Sequence, residues 1–285
     1  MGLARLGVIG GSGVYGLAGL ENCQEREIST PWGAPSGKVM TGEIAGAPIA
    51  FLPRHGVGHV LTPTEVPYLS NLYALRMLGV ERVLSVSAVG SLCDAYAPGD
   101  FVLPDQFVDR TTQRRQTFFG DGLVAHVPLA HPVSPSMVQC MATVSQEFSV
   151  KMHEGGTYVT MEGPQFSTLA ESQLYRSWGC KLIGMTNGTE AKLAREAGME
   201  FCTLAMVTDY DCWHPSHGDV DVAEVIAVAQ KNASVVADLV RAAVPSLCAL
   251  GESTWAHVLN GAVMTHADAI PEKVKQKTAA LFRDS

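Results

Sequence analysis

Short apolar runs alternate with amphipathic stretches along most of the chain. Residues 6–9, 83–86 and 201–207 are largely apolar, as expected for strands of a parallel sheet that is covered on both faces. Residues 66–78 and 222–240 instead repeat apolar side chains at helical spacing. The alternation predicts a single α/β domain whose central sheet is mixed and mostly parallel, with helices on its flanks.

The same patterns predict further elements. Strands are expected at residues 39–44, 48–52, 98–104 after a loop, 153–161 and 181–184, and helices at 136–148, at 168–178 with Ser167 as N-cap, and before Ala197. Residues 105–134 predict a loop-rich excursion that packs on a partner or covers a site. No linker interrupts residues 1–247, so we expect them to form one domain. We expect residues 248–285 to form a helical tail packed on that domain.

Two carboxylates follow the apolar run at 201–207. Asp209 and Asp211 are two positions apart, so they would share a face if the strand continued. Ligands of α/β sheets bind beyond the carboxyl ends of the strands. Two carboxylates close together in a dry pocket repel each other, so one keeps its proton and can act as a general acid. Spacing alone leaves a simpler alternative open, in which the pair caps the next element or faces water.

A glycine-rich turn follows the first apolar run. Residues 11–16 match the GxGxxG pattern of dinucleotide-binding proteins, but that pattern needs a helix and then a second parallel strand. Residues 30–35 contain prolines and glycine where that unit should continue, so nicotinamide binding is not expected. The turn still offers backbone N–H groups and the Ser12 hydroxyl, which can hold an anion or simply make a tight turn.

Two further strand ends carry anion-binding side chains. Arg54 and His55 follow the strand at 48–52, and Ser87 follows the strand at 83–86. An arginine presents a planar fork that binds phosphate through two N–H groups, and a histidine can donate to the same anion or take its proton. These groups and Ser12 could therefore converge on one oxyanion, although the spacing of the strands does not require it.

Composition narrows the classes of partner. The 285 residues carry a net charge of −8, and 47% of them are hydrophobic, which favours a globular core over general nucleic-acid binding. The seven cysteines are scattered and form no CxxC pair, as in a reduced cytoplasmic protein. No signal peptide or membrane-spanning run of about 20 apolar residues is recognisable.

Two charged or metal-binding patterns have simple interpretations. Arg114 and Arg115 are adjacent in the polar stretch and predict a solvated pair. A small group of potential metal ligands follows the carboxylates, namely Cys212, His214, His217 and Asp219. Their spacing fits no standard zinc pattern, so no metal is expected.

Several longer motifs resemble those of the trimeric purine nucleoside phosphorylase superfamily, and within it the methylthioadenosine phosphorylases. They are GVIGGSG at 7–13, PRHG at 53–56, SAVGS at 87–91, DQFVDRTTQRRQTFF at 105–119, TMEGPQFSTLAES at 160–172, GMTNGTEAKLAREAG at 184–198 and TDYDCW at 208–213. Together they extend in the family's order to about residue 245. The resemblance implies the nucleoside phosphorylase fold and phosphorolysis of a purine nucleoside, without a metal or organic cofactor.

The resemblance also implies roles for individual residues. The phosphate ligands would be Ser12, Arg54, His55, Ser87 and the backbone of Ala88. Met185 would lie under the ribose with Thr186 beside it, Phe166 would stack on the purine, and Ser167 would contact the base edge. Val222 and Val225 would form an apolar wall for a methylthio group, although ordinary core packing explains them equally well. His126 would reach this 5′ side from an adjacent subunit of a homotrimer, or of a hexamer built from two trimers.

The resemblance also implies a chemical role for the carboxylate pair. Asp209 would protonate or hydrogen-bond N7 of the departing purine, with Asp211 tuning it. An ionised carboxylate accepts hydrogen bonds from a 6-amino group, whereas a 6-oxo group presents another acceptor. The expected reaction therefore converts 5′-methylthioadenosine and phosphate to adenine and 5-methylthioribose 1-phosphate. The alternative is a purine nucleoside phosphorylase of different or broader range, acting on adenosine, inosine, guanosine or methylthioinosine.

Two segments depart from the family's pattern. Residues 187–189 read Asn-Gly-Thr in place of the usual Thr-Val-Pro, and residues 214–217 read His-Pro-Ser-His. The first departure lies beside the expected sugar site, so it predicts altered contacts with the ribose hydroxyls or the base. Both departures bear on the range of substrates.

Overall fold

An eleven-stranded mixed sheet runs through the centre of the described chain. A computed structural model of the protein describes residues 3–11, 19–218 and 220–282, so Ser12 and Asp219 lie outside the described residues. The strands in chain order are Leu6–Gly10 (β1), Glu21–Arg26 (β2), Val39–Ile44 (β3), Ala47–Pro53 (β4), Arg82–Ser91 (β5), Phe101–Leu103 (β6), Gln106–Asp109 (β7), Met152–Glu154 (β8), Thr157–Thr160 (β9), Leu182–Gly184 (β10) and Glu200–Asp209 (β11). Parallel pairings outnumber antiparallel ones, which confirms the predicted fold class.

The centre of the sheet consists of β1, β5 and β11, which run parallel side by side. Val8, Leu84 and Cys202 occupy neighbouring positions across these three strands, and all three are fully buried. Burial on both faces explains why the strands appear in the sequence as apolar runs without alternation. The predicted strands at residues 6–9, 83–86 and 201–207 are thus confirmed, each with somewhat wider bounds.

Helices cover both faces of the sheet. They are Tyr68–Met77 (α1), Pro135–Ser145 (α2), Leu169–Ser177 (α3), Asn187–Glu196 (α4), Val222–Ala249 (α5) and Glu272–Thr278 (α6), with short 3-10 turns at Ala267–Ala269 and Ala279–Leu281. Buried side chains of α1 and α4 belong to one core cluster, and those of α2 and α5 belong to another. The sheet is therefore the middle layer of a three-layer domain.

Three strand predictions need correction. The predicted strand at 153–161 is two strands, because Gly155 and Gly156 adopt φ values of 84° and 107° between them. The predicted loop at 105–134 contains β7. β2 was not expected, because it is polar and mostly exposed at the sheet edge, where no apolar pattern is needed.

Helix bounds also differ from those expected, by up to three residues in α1 and α2 and more consequentially in α3 and α5. Thr168, not Ser167, is the N-cap of α3: its hydroxyl accepts the Glu171 N–H, and Glu171 accepts the Thr168 N–H in return. α5 continues beyond residue 240 to Ala249, with Pro245 inside it. It therefore includes the first two residues of the stretch that was expected to form a tail.

Residues beyond α5 pack on the same core as the rest of the chain. Trp255, Leu259, Val274 and Leu281 are buried in the cluster that also contains side chains of α1 and α4. The Arg195 guanidinium lies 3.3 Å from the centroid of the Trp255 ring, a cation–π contact. Within the described ranges, none of the helices has both the length and the hydrophobicity that a membrane span requires.

A break in register opens the sheet next to the carboxylate pair. β11 follows β5 residue by residue up to Val207 opposite Val89, after which Asp209 pairs with Gly90, so Thr208 bulges out. Beyond this point β5 continues as the partner of β10. Bulges re-aim side chains and end strand pairing, and this one places Asp209 where the two strands part.

Candidate active site

A cavity of about 690 Å³ lies beyond the carboxyl ends of the central strands. Most of the predicted site residues line it: Arg54, His55, Ser87, Ala88, Phe166, Met185, Thr186, Asp209, Asp211, Val222 and Val225. Four strand ends and one face of α5 thus meet around one space. Ser167 and His126 do not line it. The volume suits a small-molecule site, which disfavours the interpretation of the carboxylates as simple caps.

Asp209 is a partly buried carboxyl with an unusual set of partners. Its Oδ1 accepts the Asp211 N–H at 2.8 Å, and its Oδ2 lies 2.7 Å from the Thr208 hydroxyl. That hydroxyl is also 3.1 Å from the Val89 carbonyl oxygen. A hydroxyl has one hydrogen, so Thr208 donates to Asp209 or to the Val89 carbonyl but not fully to both. Burial raises the pKa of Asp209, and the charge of Asp211 raises it further, against the hydrogen bonds from Thr208 and Asp211.

Asp211 lines the cavity, and one of its carboxyl oxygens is buried without a hydrogen-bond partner among the described residues. The residue is 4% exposed, and the unpaired oxygen is Oδ2. Burial raises its pKa as well. The Ser172 and Ser167 hydroxyls and the Cys212 N–H lower that pKa, although neither hydroxyl reaches full hydrogen-bond geometry with Oδ2. A buried unpaired acceptor is costly, and the Ser172 and Ser167 hydroxyls are the side-chain donors nearest to it.

The two carboxyls are close for a reason other than the one expected from strand alternation. β11 ends at Asp209, and Asp211 adopts a left-handed φ of 50°. The tight turn folds Asp211 back so that its N–H reaches Asp209. Aspartate tolerates this backbone region better than most residues, which suits it to the second position of the pair.

Gly90 leaves room for the Asp209 carboxyl. A Cβ at position 90 would lie 2.8 Å from Asp209 Oδ1, so Gly90→Ala is expected to push the carboxyl from its place and lower kcat about 100-fold. Steady-state kinetics check this effect. Gly251→Ala is the control, because a Cβ there meets nothing within 4 Å. Equal kcat values for the two variants would contradict this role of Gly90.

Arg54 lies at the other end of the cavity and is held by a buried acid. Its Nε and Nη2 donate to the two Glu190 oxygens at 2.5 and 3.1 Å, and both side chains are almost fully buried. Nη2 also donates to the Ser85 hydroxyl and Nη1 to the Val86 carbonyl. The expectation of a free fork was therefore wrong, since Glu190 occupies it. Glu190 raises the pKa of Arg54 against the opposing effect of burial.

His55 is neutral and has a defined tautomer. Its Nδ1 lies 2.8 Å from the Leu61 carbonyl oxygen, which can only accept, so Nδ1 carries the hydrogen and Nε2 does not. Burial, followed by the Arg54 charge, lowers the pKa of His55 to about 3. The His59 ring stacks on it with centroids 4.2 Å apart. His55 thus offers an acceptor nitrogen rather than a second cation.

Gly11, the residue directly after β1, comes close to this anion end. A Cβ on Gly11 would lie 2.4 Å from Arg54 Nη1 and 2.6 Å from the Val86 carbonyl oxygen, so only glycine fits there. Ser87 lies on the same strand as Val86, and its hydroxyl donates to the Ala88 carbonyl at 3.3 Å. Ser12 follows Gly11 and is outside the described residues.

The remaining walls are mostly apolar. Phe166 is 40% exposed and lines the cavity, as do Val222, Val225 and the unpredicted Ile226 of α5. Ser167 turns away, with its hydroxyl 3.6 Å from Met161 Sδ. His126 is on the surface, where its backbone N–H donates to the Ala262 carbonyl.

The two departures from the family pattern do not reach this cavity. Asn187 and Thr189 are fully buried, and Asn187 Nδ2 donates to the Ser85 hydroxyl at 2.6 Å and to Glu190 at 3.1 Å. The expected contact of this segment with a sugar or base is therefore not observed. His214 and His217 lie against the Tyr210 ring. In the described part of the chain, no three His, Cys, Asp or Glu side chains are grouped to hold a metal ion.

Arg114 is buried, although the sequence pattern predicted that it is part of a solvated pair. Its side chain is 1% exposed and pairs with Glu162 at 3.0 Å, so it is not part of a solvated pair. Its guanidinium also donates to the carbonyl oxygens of Met185 and Glu162. Arg114 therefore fixes the backbone that carries Met185 into the cavity, and only the neighbouring Arg115 is solvated.

Comparisons with known proteins agree with this geometry. The family model described as "Phosphorylase superfamily" matches residues 5–245. The S-methyl-5′-thioadenosine phosphorylase of Gloeobacter violaceus is 51% identical over 98% of this chain and 95% of its own length, and that of Rhodospirillum rubrum is 49% identical over 97% and 95%. A methylthioadenosine phosphorylase from an antarctic soil metagenomic library superposes with a TM-score of 0.92 at 44% identity, covering 99% and 100% of the chains. Methylthioadenosine phosphorylase from Schistosoma mansoni in complex with adenine gives 0.84 at 32%, covering 93% and 99%.

Proposed function

This chain belongs to the phosphorylase superfamily and, within it, to the S-methyl-5′-thioadenosine phosphorylases, and from that premise we propose that it converts 5′-methylthioadenosine and phosphate to adenine and 5-methylthioribose 1-phosphate. The observation that carries the proposal is a single cavity with a buried acid pair at one end and Arg54 with His55 at the other. The first can hold a purine and the second an oxyanion. A nucleoside placed between them has its C1′ within reach of both.

The reaction breaks one bond and forms another. A phosphate oxygen bonds to C1′ as the C1′–N9 bond breaks, and the bonding electrons move onto the purine. Asp209 donates its proton to N7, so adenine leaves as a neutral base. The phosphate O–H proton is lost to solvent and Asp209 takes up one proton in return, so no net proton is gained or lost over the cycle. Arg54, His55, Ser87, the Ala88 backbone and Ser12 place the nucleophile.

Asp211 selects the base. It lines the cavity, and its carboxylate accepts a hydrogen bond from the 6-amino group of adenine. A 6-oxo base would put a second acceptor against it and leave both unpaired. Phe166 stacks on the purine, and Met185 with Thr186 holds the sugar. This favours adenine nucleosides over inosine, guanosine and methylthioinosine.

The 5′ substituent lies against α5. Val222, Val225 and Ile226 give an apolar wall that suits a methylthio group. We place His126 of a neighbouring subunit beside it, in a homotrimer or a dimer of trimers, because the residue is exposed and away from its own cavity. No metal or organic cofactor takes part in the proposed reaction. All seven cysteines are free, which supports a cytoplasmic location.

The nucleophile is expected to be a protonated oxyanion. His55 Nε2 lacks a hydrogen, so it accepts one from the O–H of HPO₄²⁻, whereas sulfate has no proton to give. One unmatched buried acceptor costs about 1–3 kcal/mol. The inhibition constant of sulfate should therefore be about 10- to 100-fold higher than that of an anion of the same shape that carries a proton. Inhibition constants for sulfate and arsenate, at equal ionic strength, check this. Equal inhibition by the two anions would contradict the assignment of His55 as an acceptor.

A substrate panel tests the proposed range. Methylthioadenosine, adenosine, inosine and methylthioinosine are incubated with phosphate, and the released base is quantified. We expect methylthioadenosine to give the highest kcat/KM. A higher value for inosine or methylthioinosine would favour the alternative, a 6-oxopurine phosphorylase.

A further inference from the structure

The guanidinium of Arg54 has four of its five N–H groups committed to the protein. Two bind Glu190, one binds the Ser85 hydroxyl and one binds the Val86 carbonyl. The group with capacity left is Nη1, which lies next to Gly11. An anion in this site can therefore meet one Arg54 N–H rather than the two-pronged fork.

Glu190 is itself held in place from several sides. Its Oε2 accepts from Arg54 Nη2, from the Ser85 hydroxyl at 2.6 Å and from Asn187 Nδ2 at 3.1 Å. All four side chains are at most 1% exposed. Asn187 is the first residue of the segment that departs from the family pattern. It donates a hydrogen bond to the Glu190 carboxylate and does not line the cavity.

We infer that Glu190 is a positioning residue for phosphorolysis, which occupies the fork of Arg54 so that phosphate is held through a single guanidinium N–H, with Ser85 and Asn187 fixing the carboxylate. This inference rests on the proposed function. Phosphate loses negative charge as its oxygen bonds to C1′. A free, fully charged fork would therefore stabilise the unreacted dianion more than the transition state, and such binding slows the chemical step.

Glu190→Gln tests the inference. Without the carboxylate, Arg54 keeps a buried and uncompensated charge, and phosphate becomes its counterion. The apo protein should unfold at a lower temperature, whereas phosphate alone should raise the unfolding temperature more than it does in the wild type. We expect the KM for phosphate to fall about tenfold, and kcat to fall by a similar factor.

Glu200→Gln is the matched control. Glu200 forms an equally buried ion pair with Arg82, at 2.8 Å. The two residues begin β11 and β5, at the end of these strands away from the cavity. This variant should lose stability as well, but with the wild-type kcat and the wild-type thermal shift on adding phosphate. The comparison separates the loss of a buried ion pair from an effect on phosphate.

Asn187→Ala is a milder variant in case Glu190→Gln does not fold. It removes one donor to Glu190 and should change the KM for phosphate and kcat in the same directions by a smaller factor. Phosphate binding that is equal to or weaker than wild type in these variants would overturn the inference. Failure of the proposed function is distinguishable, because the wild type would then release no adenine with phosphate, whereas the thermal shifts need phosphate alone.

Discussion

Asp209→Asn is expected to lower kcat for methylthioadenosine by about 100- to 10,000-fold, which is the usual worth of general acid catalysis. The amide keeps the shape of the carboxyl but has no proton to give to N7. The KM for phosphate should change little, because Asp209 lies at the purine end of the cavity. Single-turnover release of adenine measures the chemical step directly.

Asp100→Asn is the control for this variant. Asp100 is also largely buried, but hydrogen bonds from His153 and Lys151 outweigh its burial, so that its pKa is lowered. The control should lose stability without losing kcat. Unchanged turnover in Asp209→Asn would remove Asp209 from the acid role.

The dependence of kcat on pH tests the role of Asp209 independently. Because burial raises the pKa of Asp209, its protonated form persists above the ordinary range of a carboxyl. The wild-type kcat should therefore fall as pH rises through this raised pKa, and the fall should be missing in Asp209→Asn. Folding stability carries the same sign: the protonated native form is favoured below the raised pKa, and that contribution is lost as pH rises through it.

Asp211→Asn is expected to reverse the choice of base. The carbonyl of Asn would face the Cys212 N–H and the serine hydroxyls that surround Asp211, and its Nδ2 would face the cavity. A donor there suits a 6-oxo group and opposes a 6-amino group. The ratio of kcat/KM for methylthioadenosine over methylthioinosine should fall by about 100-fold or more, since each unpaired buried group costs about 1–3 kcal/mol.

The control for base choice is Asp94→Asn. Asp94 is 77% exposed and lies 3.5 Å from His214 near the same loop, so its loss should leave the ratio unchanged. A ratio in Asp211→Asn that stays within about twofold of wild type, well under 1.4 kcal/mol, would contradict selection by Asp211.

The apolar strands could be predicted from the sequence because the strands of a covered parallel sheet leave a local signal. The run at 201–207 led directly to Asp209, and the end of β4 led to Arg54. Ser87 was expected just after its strand but lies inside β5, which continues to Ser91. These residues do line one cavity. What the pattern predicted well is therefore the position of functional groups at strand ends.

Partners that lie far apart in sequence could not be predicted in this way. Glu190 follows Arg54 by 136 positions, so nothing near PRHG shows that the fork is occupied. Arg114 beside Arg115 has the appearance of a solvated pair, and only its long-range contacts with Glu162 show that it is buried. Asp211 reaches Asp209 as expected, but through a turn rather than through strand alternation, which the two-residue spacing does not reveal.

The most direct test of the central claim follows the oxygen atoms of phosphate. The enzyme is incubated with methylthioadenosine and fully ¹⁸O-labelled phosphate, and the sugar product is analysed by mass spectrometry. Phosphorolysis predicts 5-methylthioribose 1-phosphate that retains every labelled oxygen, with adenine formed only when phosphate is present. Adenine release without phosphate, together with an unlabelled free sugar, would instead mean hydrolysis and would contradict the proposed function.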